Sequence, residues 1–179
     1  NGKNIRTYKI GEDIMNLYPN AYLKNVKEIT MEFLKENNIK ALILDVDNTL
    51  IDFNKKMLDN VEKWCEELKL QGIKICILSN SDKKEKVEMV ANKLKIPYIY
   101  FGMKPFKRGF KKALKILEEE NKNTAVVGDQ IFTDVIGANR CKMFSILVEP
   151  IDKKDLLITN IKRPIENFII NKYKESKEE

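Results

Sequence analysis

The stretch Ala41-Leu42-Ile43-Leu44-Asp45-Val46-Asp47-Asn48-Thr49-Leu50 is an apolar run that ends on two carboxylates. A short branched run closed by polar residues predicts a strand buried on both faces, with a polar loop at its C-terminal end. Ala41–Val46 is the first of five such segments. The others are Ile73–Ser79, Pro97–Phe101, Thr124–Asp129 and Phe144–Val148. Between them the apolar period lengthens to that of helices. Asn60–Leu70 aligns Val61, Trp64, Cys65 and Leu68; Lys83–Lys95 aligns Val87, Val90, Ala91 and Leu94; Phe106–Glu120 aligns Phe110, Ala113, Leu114 and Leu117. Strands alternating with amphipathic helices predict an α/β fold: a three-layer, Rossmann-like parallel sheet of about five strands with helices on both faces.

The 179 residues suit a single domain, residues 1–179. Residues 1–40 and 151–179 then form extensions packed on it. Met31–Asn37 and Arg163–Tyr173 have helical patterns, the latter carrying Ile165, Phe168, Ile169 and Ile170, and the end segments are expected to cover sheet faces and edges, with membrane or partner docking as the alternative. Lys174–Glu179 is charged enough to fray.

The chain has no histidine, which removes the Ser-His-Asp triad, the HExxH zinc helix and phosphohistidine chemistry. Cys65, Cys76 and Cys141 form no CxxC pair, and none begins a Cys-x5-Arg loop, because Gln71, Asp82 and Leu147 stand where the arginine would be. A reducing, cytoplasmic setting follows. The charge balance of 33 basic against 27 acidic residues, with a pI near 9.0, favours anionic partners. No apolar run approaches the roughly 18 residues that would span a bilayer.

Polar clusters follow the strands: Asp45–Leu50, then Ser79-Asn80, then Lys104-Pro105, then Gly128–Asp134. In a parallel sheet the C-terminal strand ends share one edge, so all four clusters can meet. Several carboxylates gathered there stay ionised together most readily around a hard cation, for which Mg2+ is the candidate. Lys104 and the Ser79 hydroxyl add a positive charge and a donor suited to a phosphoryl group, and a carboxylate nucleophile then becomes plausible.

These residues resemble the haloacid dehalogenase-like phosphatases. Asp45, Asp47 and Thr49 match the first motif, DxDx[TV]; Ser79 matches the second, Lys104 the third, and Asp129 with Asp134 the GDxxxxD form of the fourth. The resemblance implies that Asp45 is the nucleophile and Asp47 the general acid and base. It also implies that Ser79 and Lys104 hold the phosphoryl group. Asp45, the Asp47 backbone carbonyl, Asp129 and Asp134 would hold the metal. Thr49, Asn80 and Arg108 are taken as substrate-binding candidates. The acid at Asp47 implies hydrolysis rather than the long-lived aspartyl-phosphate of the transport ATPases. The intervals 51–78 and 80–103 hold little beyond crossover helices and strands, so no large cap domain is expected and the site should be open.

A narrower resemblance, to the YqeG-type branch related to mitochondrial phosphatidylglycerophosphate phosphatases, rests on Leu17-Tyr18-Pro19, Asp45–Leu50, Ile96–Tyr100, Lys104 through Arg108, Gly128–Arg140 and Arg163-Pro164-Ile165-Glu166. It implies a phosphomonoester on a phospholipid head group as substrate, in phospholipid biosynthesis. Lys104, Lys107, Arg108, Lys111, Lys112 and Lys115 form a run without an acid, which is either a solvated helix face or a cationic surface for peripheral contact with the inner face of an anionic membrane. Arg108, Asn139 and Arg140 are candidates for a second substrate phosphate. Asn80 and Gln130 either touch substrate or brace loops. A capless phosphatase for a soluble metabolite or a nucleic-acid phosphate end is the enzymatic alternative, ahead of a non-catalytic interaction module.

Overall fold

The computed structural model describes residues 17–152 and 162–178. Its centre is β2 (Ala41–Leu44), flanked by β3 (Lys74–Leu78) and β5 (Thr124–Gly128), with β4 (Tyr98–Ile99) outside β3 and β6 (Phe144–Val148) outside β5. All of these pairings are parallel. Alternate side chains of each strand serve different layers. Leu42, Leu44, Ile75, Ile77, Ala125 and Val127 join one apolar cluster, whereas Ala41, Ile43, Cys76, Leu78 and Val126 join the other. A sheet covered on both faces reads as continuous apolar runs for this reason.

Five helices fill the layers over these strands. On the first face lie α1 (Met31–Glu36), α2 (Val61–Leu70) and α3 (Lys84–Leu94), which contribute Leu34, then Val61, Trp64, Cys65 and Leu68, then Val87, Val90, Ala91 and Leu94. On the second face α4 (Lys107–Leu117) buries Phe110, Ala113 and Leu117, and α5 (Ile136–Arg140) buries Ala138. Trp64 is a packing residue, as its position in α2 predicts, and its Nε1 donates to the Ile29 carbonyl at 3.0 Å. Burial pushes the Cys65 thiol up to about 11 and the Cys76 thiol up to about 12, which suits inert core residues.

The sheet has six strands rather than about five, in the order β1-β6-β5-β2-β3-β4. The addition, β1 (Ala21–Leu23), comes from the N-terminal stretch and pairs parallel to the outer edge of β6. Three half-buried residues carry too little pattern to be read as a strand. The segment Pro97–Phe101 contracts to two strand residues, since Pro97 has no N–H for a ladder and Phe101 turns out of the strand at φ 49.

The C-terminal helix α6 (Lys162–Glu178) sets Ile169 and Ile170 against Leu17, Tyr18 and Tyr22. It continues through Lys174 rather than fraying there. Lys174 Nζ stands 5.0 Å from the Tyr22 ring, and Tyr173 Oη donates to the Asn20 carbonyl at 3.3 Å. These two contacts extend the docked length. The remainder of the two extensions, residues 1–16, 153–161 and 179, lies outside the described residues, as do the side chains of Arg163, Pro164 and Glu166.

The chain leaves β2 toward β3 and β4 on one side, then returns to β5 and β6 on the other. Between β2 and β5 the crossovers diverge, which opens a crevice at the C-terminal strand ends. Asp45 and Asp129 follow those two strands directly.

Candidate active site

The Asp45 N–H donates to the Val127 carbonyl at 2.9 Å, continuing the ladder one residue beyond β2 and aligning its side chain with the end of β5. Next to it, a single turn of π-helix, Ile131–Val135, carries Asp134. Extra residues of this kind inside helices often serve to aim a side chain at a site. Gly128 is required by this approach, because a Cβ there would overlap the Asp134 carboxyl group. Asp134 also accepts the Gln130 N–H at 3.2 Å through Oδ2.

Lys104 arrives from the loop after β4. Its Nζ donates to Asp45 Oδ1 at 2.6 Å and to Asp134 Oδ1 at 2.7 Å, with all three side chains buried. Its backbone is fixed by Asn80, whose Nδ2 donates to the Lys104 carbonyl at 2.9 Å and whose Oδ1 accepts the Lys104 N–H at 2.6 Å. Asn80 is thus a brace that sets where the ammonium stands. Ser79 is buried beside it, its Oγ accepting the Ser81 N–H at 3.1 Å with its own proton left to give.

One carboxylate oxygen from each of Asp45, Asp129 and Asp134 lies within 4.8 Å of the others, and all three residues are buried. Counted with Lys104, these groups hold three negative charges against one positive. Burial, with the neighbouring Asp134 and Asp47 charges, raises the Asp45 carboxyl to about 6 even though Lys104 pulls it down. Burial alone would lower the Lys104 ammonium, but the charges of Asp134 and Asp45 outweigh it and hold Lys104 above its ordinary value. A hard divalent cation bound by oxygen ligands fits this donor set, because it supplies the positive charge the cluster lacks.

Asp47 is placed differently. Its carboxylate points away from the three-acid cluster and takes both oxygens to Lys86 Nζ, at 2.6 and 2.7 Å. In the metal set it therefore has its backbone carbonyl to offer rather than its side chain. Lys86 is the site residue missed by sequence reasoning. It is one of several lysines of α3 and its N-cap, with Lys83, Lys84 and Lys93, and nothing in the chain sets it apart from them. A cleft of about 340 Å³ opens beside this pair, between Asp47, Phe53, Lys55, Lys83 and Lys86. Its outer wall is a tight flap in which Asp52 N–H donates to Lys56 O at 2.9 Å and Leu58 N–H to Leu50 O at 2.9 Å. Flap and α2 are all that stands between β2 and β3, as expected for a chain with no large cap.

The remaining candidates divide. The Thr49 hydroxyl is sealed within the loop and has no hydrogen-bond partner among the described residues, so it does not open to the cleft. Asn139 Nδ2 donates to the Tyr18 carbonyl at 2.9 Å, tying the N-terminal stretch to α5. Arg140 is exposed at the end of α5. Arg108 lines a separate cleft, which neither Asp45 nor Asp47 borders.

A family model described as mitochondrial PGP phosphatase matches residues 4–152. The chain belongs to this family. It is 38% identical over 157 residues to a protein of Bacillus subtilis (strain 168) named "Probable phosphatase YqeG", a match that covers 87% of this chain and 91% of that one. It is 26% identical over 153 residues to phosphatidylglycerophosphate phosphatase 1, chloroplastic/mitochondrial, of Arabidopsis thaliana, covering 80% of this chain and 44% of the plant protein. The fold is shared with the p-nitrophenyl phosphatase of Archaeoglobus fulgidus, at a TM-score of 0.51 and 16% identity over 70% of this chain and 92% of that chain. The mitochondrial PGP phosphatase family member described here is a haloacid dehalogenase-like phosphatase without a cap. No helix among its described residues is long and apolar enough to cross a membrane.

Proposed function

We propose that this protein is an Mg2+-dependent phosphomonoesterase that converts phosphatidylglycerophosphate to phosphatidylglycerol through an aspartyl-phosphate on Asp45. The observation that carries the chemistry is the buried Lys104 ammonium spanning Asp45 and Asp134, with Asp129 beside them. The family match and the name of the plant relative support the lipid substrate, as do the capless cleft and the basic charge.

In this reading an Asp45 carboxylate oxygen attacks phosphorus, and the bond from phosphorus to the leaving glycerol oxygen breaks. Asp47 gives its proton to that oxygen. Asp47 then takes a proton from water, whose oxygen attacks phosphorus as its bond to Asp45 breaks, releasing inorganic phosphate and restoring the Asp45 carboxylate and the protonated Asp47. Lys104 and the Ser79 hydroxyl hold the non-bridging oxygens as their charge rearranges. Asp45, Asp129, Asp134 and the Asp47 carbonyl would hold Mg2+, which supplies the charge neutralisation that lets a carboxylate approach a phosphate. Because Lys86 occupies both oxygens of Asp47, that contact must open before Asp47 can donate a proton.

The test is phosphate release from phosphatidylglycerophosphate in mixed micelles and from soluble phosphomonoesters, with Mg2+ or with EDTA, for wild type and Asp45→Asn. Preference for the lipid, lost with EDTA and in the variant, is the expected result. Equal turnover of a soluble ester would remove the lipid assignment, and activity surviving in Asp45→Asn would remove the nucleophile.

A further inference from the structure

The loop from β4 into α4 shows large apolar side chains to solvent. Phe101 is 59% and Phe106 61% exposed, with Tyr100 and Met103 also exposed beside them. Single exposed apolar residues are ordinary, whereas four within seven positions form a patch that needs a reason. The backbone holds them outward. Phe101 and Met103 adopt φ of 49 and 55, a left-handed conformation that residues with side chains seldom take unless their surroundings impose it. Here the imposing contacts are Phe101 N–H to Ser81 O at 2.8 Å, Gly102 N–H to Ser79 O at 2.8 Å and Phe106 N–H to Met103 O at 2.9 Å. Helix α4 presses on the loop from behind, so closely that a Cβ on Gly109 would overlap the Gly102 carbonyl oxygen.

Charge accompanies the apolar patch. From Tyr100 to Leu117 the chain has no Asp or Glu, and Lys107, Arg108, Lys111, Lys112 and Lys115 are all exposed. Arg108 and Lys112 share a cleft of about 400 Å³ with Tyr100, Phe101, Met103 and Phe106. Aromatic and thioether side chains ringed by cations on a clamped loop are the requirements of an interfacial membrane contact: apolar groups enter the acyl boundary while cations stay at phosphate level. A second copy of this chain is a poor occupant, because a symmetric contact would set these cations against one another.

We infer that the face built from Tyr100, Phe101, Met103, Phe106, Arg108 and Lys112 docks on a bilayer containing anionic phospholipid. The inference rests on the lipid-substrate reading and adds how the site reaches its substrate. The same loop carries Lys104, which Asn80 ties to the end of β3. The docking face and the lysine of the catalytic cluster therefore share one loop.

The experiment is co-sedimentation of the full chain with phosphatidylcholine vesicles, with and without phosphatidylglycerol, for wild type and for Phe101→Asn/Met103→Asn/Phe106→Ser. Asn tolerates left-handed φ, and Ser at 106 supplies the side-chain cap that α4 lacks, so the triple variant is built to fold. Wild type is expected to sediment with the anionic vesicles, less so as salt rises, and the variant to lose roughly 100-fold in partitioning from three lost apolar anchors. Turnover of a soluble ester should stay within about twofold, because these side chains lie outside the catalytic cluster. Indifference to phosphatidylglycerol, wild-type partitioning by the variant, or a single-stranded oligonucleotide displacing the vesicles would overturn the docking face. Vesicle binding without phosphate release from phosphatidylglycerophosphate would uphold the face and sink the substrate reading. Release from micelles by a protein that ignores vesicles would do the reverse.

Discussion

Two Lys–Asp contacts of equal length, 2.6 Å, are made by the loop that follows β2. Lys104 to Asp45 is buried, lysine and carboxylate 3% and 9% exposed, whereas in Lys86 to Asp47 the lysine is 15% and the carboxylate 48% exposed. Distance therefore says little about what either contact does. Away from water the Lys104 contact cannot be broken without stranding a charge, so it fixes the position of the Asp45 carboxyl group. The Lys86 contact reaches solvent on its carboxylate side and is cheaper to open, which suits the acid and base role proposed for Asp47. The site thus combines a rigid floor with a movable wall.

The largest effect is expected at the floor. Asp45→Asn should reduce turnover by about 10⁴-fold or more, as removal of a nucleophile does, checked by phosphate release under saturating Mg2+. Lys104→Met should reduce turnover by about 10²- to 10³-fold and, because it leaves Asp45 and Asp134 buried without their cation, cost roughly 3–5 kcal/mol in urea unfolding. A variant as stable as wild type would show that the floor is not held by this contact.

A pH series sharpens the same point. In EDTA the Asp45 carboxyl, held near 6 by burial against 3.8 for the free side chain, favours the protonated folded form. Wild-type stability should therefore fall as pH rises from about 4 to 7, and Asp45→Asn should become the more stable protein at neutral pH, the gap closing near pH 4. Thermal unfolding of both proteins across that range is the measurement, and adding Mg2+ at pH 7 should restore the wild type.

The smallest stability effect belongs to the wall. Lys86→Met should change unfolding free energy by less than about 1 kcal/mol while altering turnover by about tenfold or less, with Lys86→Arg close to wild type. A stability loss matching that of Lys104→Met would erase the distinction between the two contacts.

Much of the floor was legible in the chain. Asp45, Asp129, Ser79 and Lys104 each stand directly after or close beyond an apolar strand, and parallel strands deliver their C-terminal ends to one edge regardless of detail. Asp134 was legible from its spacing to Asp129. The wall was not. Lys86 lies on a helix face where any lysine is equally soluble, and only the packing of α3 on the sheet carries it to Asp47. Asn80 could be placed at the site from sequence, yet its service as a brace depends on how the loop after β4 folds back.

By itself, the sequence determined the layered α/β architecture, since side chains that alternate between two apolar clusters must be covered twice, and it determined which carboxylates follow which strands. Tertiary structure alone decided which charges touch, because Lys104 meets Asp45 across 59 positions and Lys86 meets Asp47 across 39. It also decided that β1 joins the sheet and that Phe101 and Phe106 face outward. Strand and helix patterns arise from neighbours along the chain, whereas these contacts depend on where the packed sheet brings distant segments.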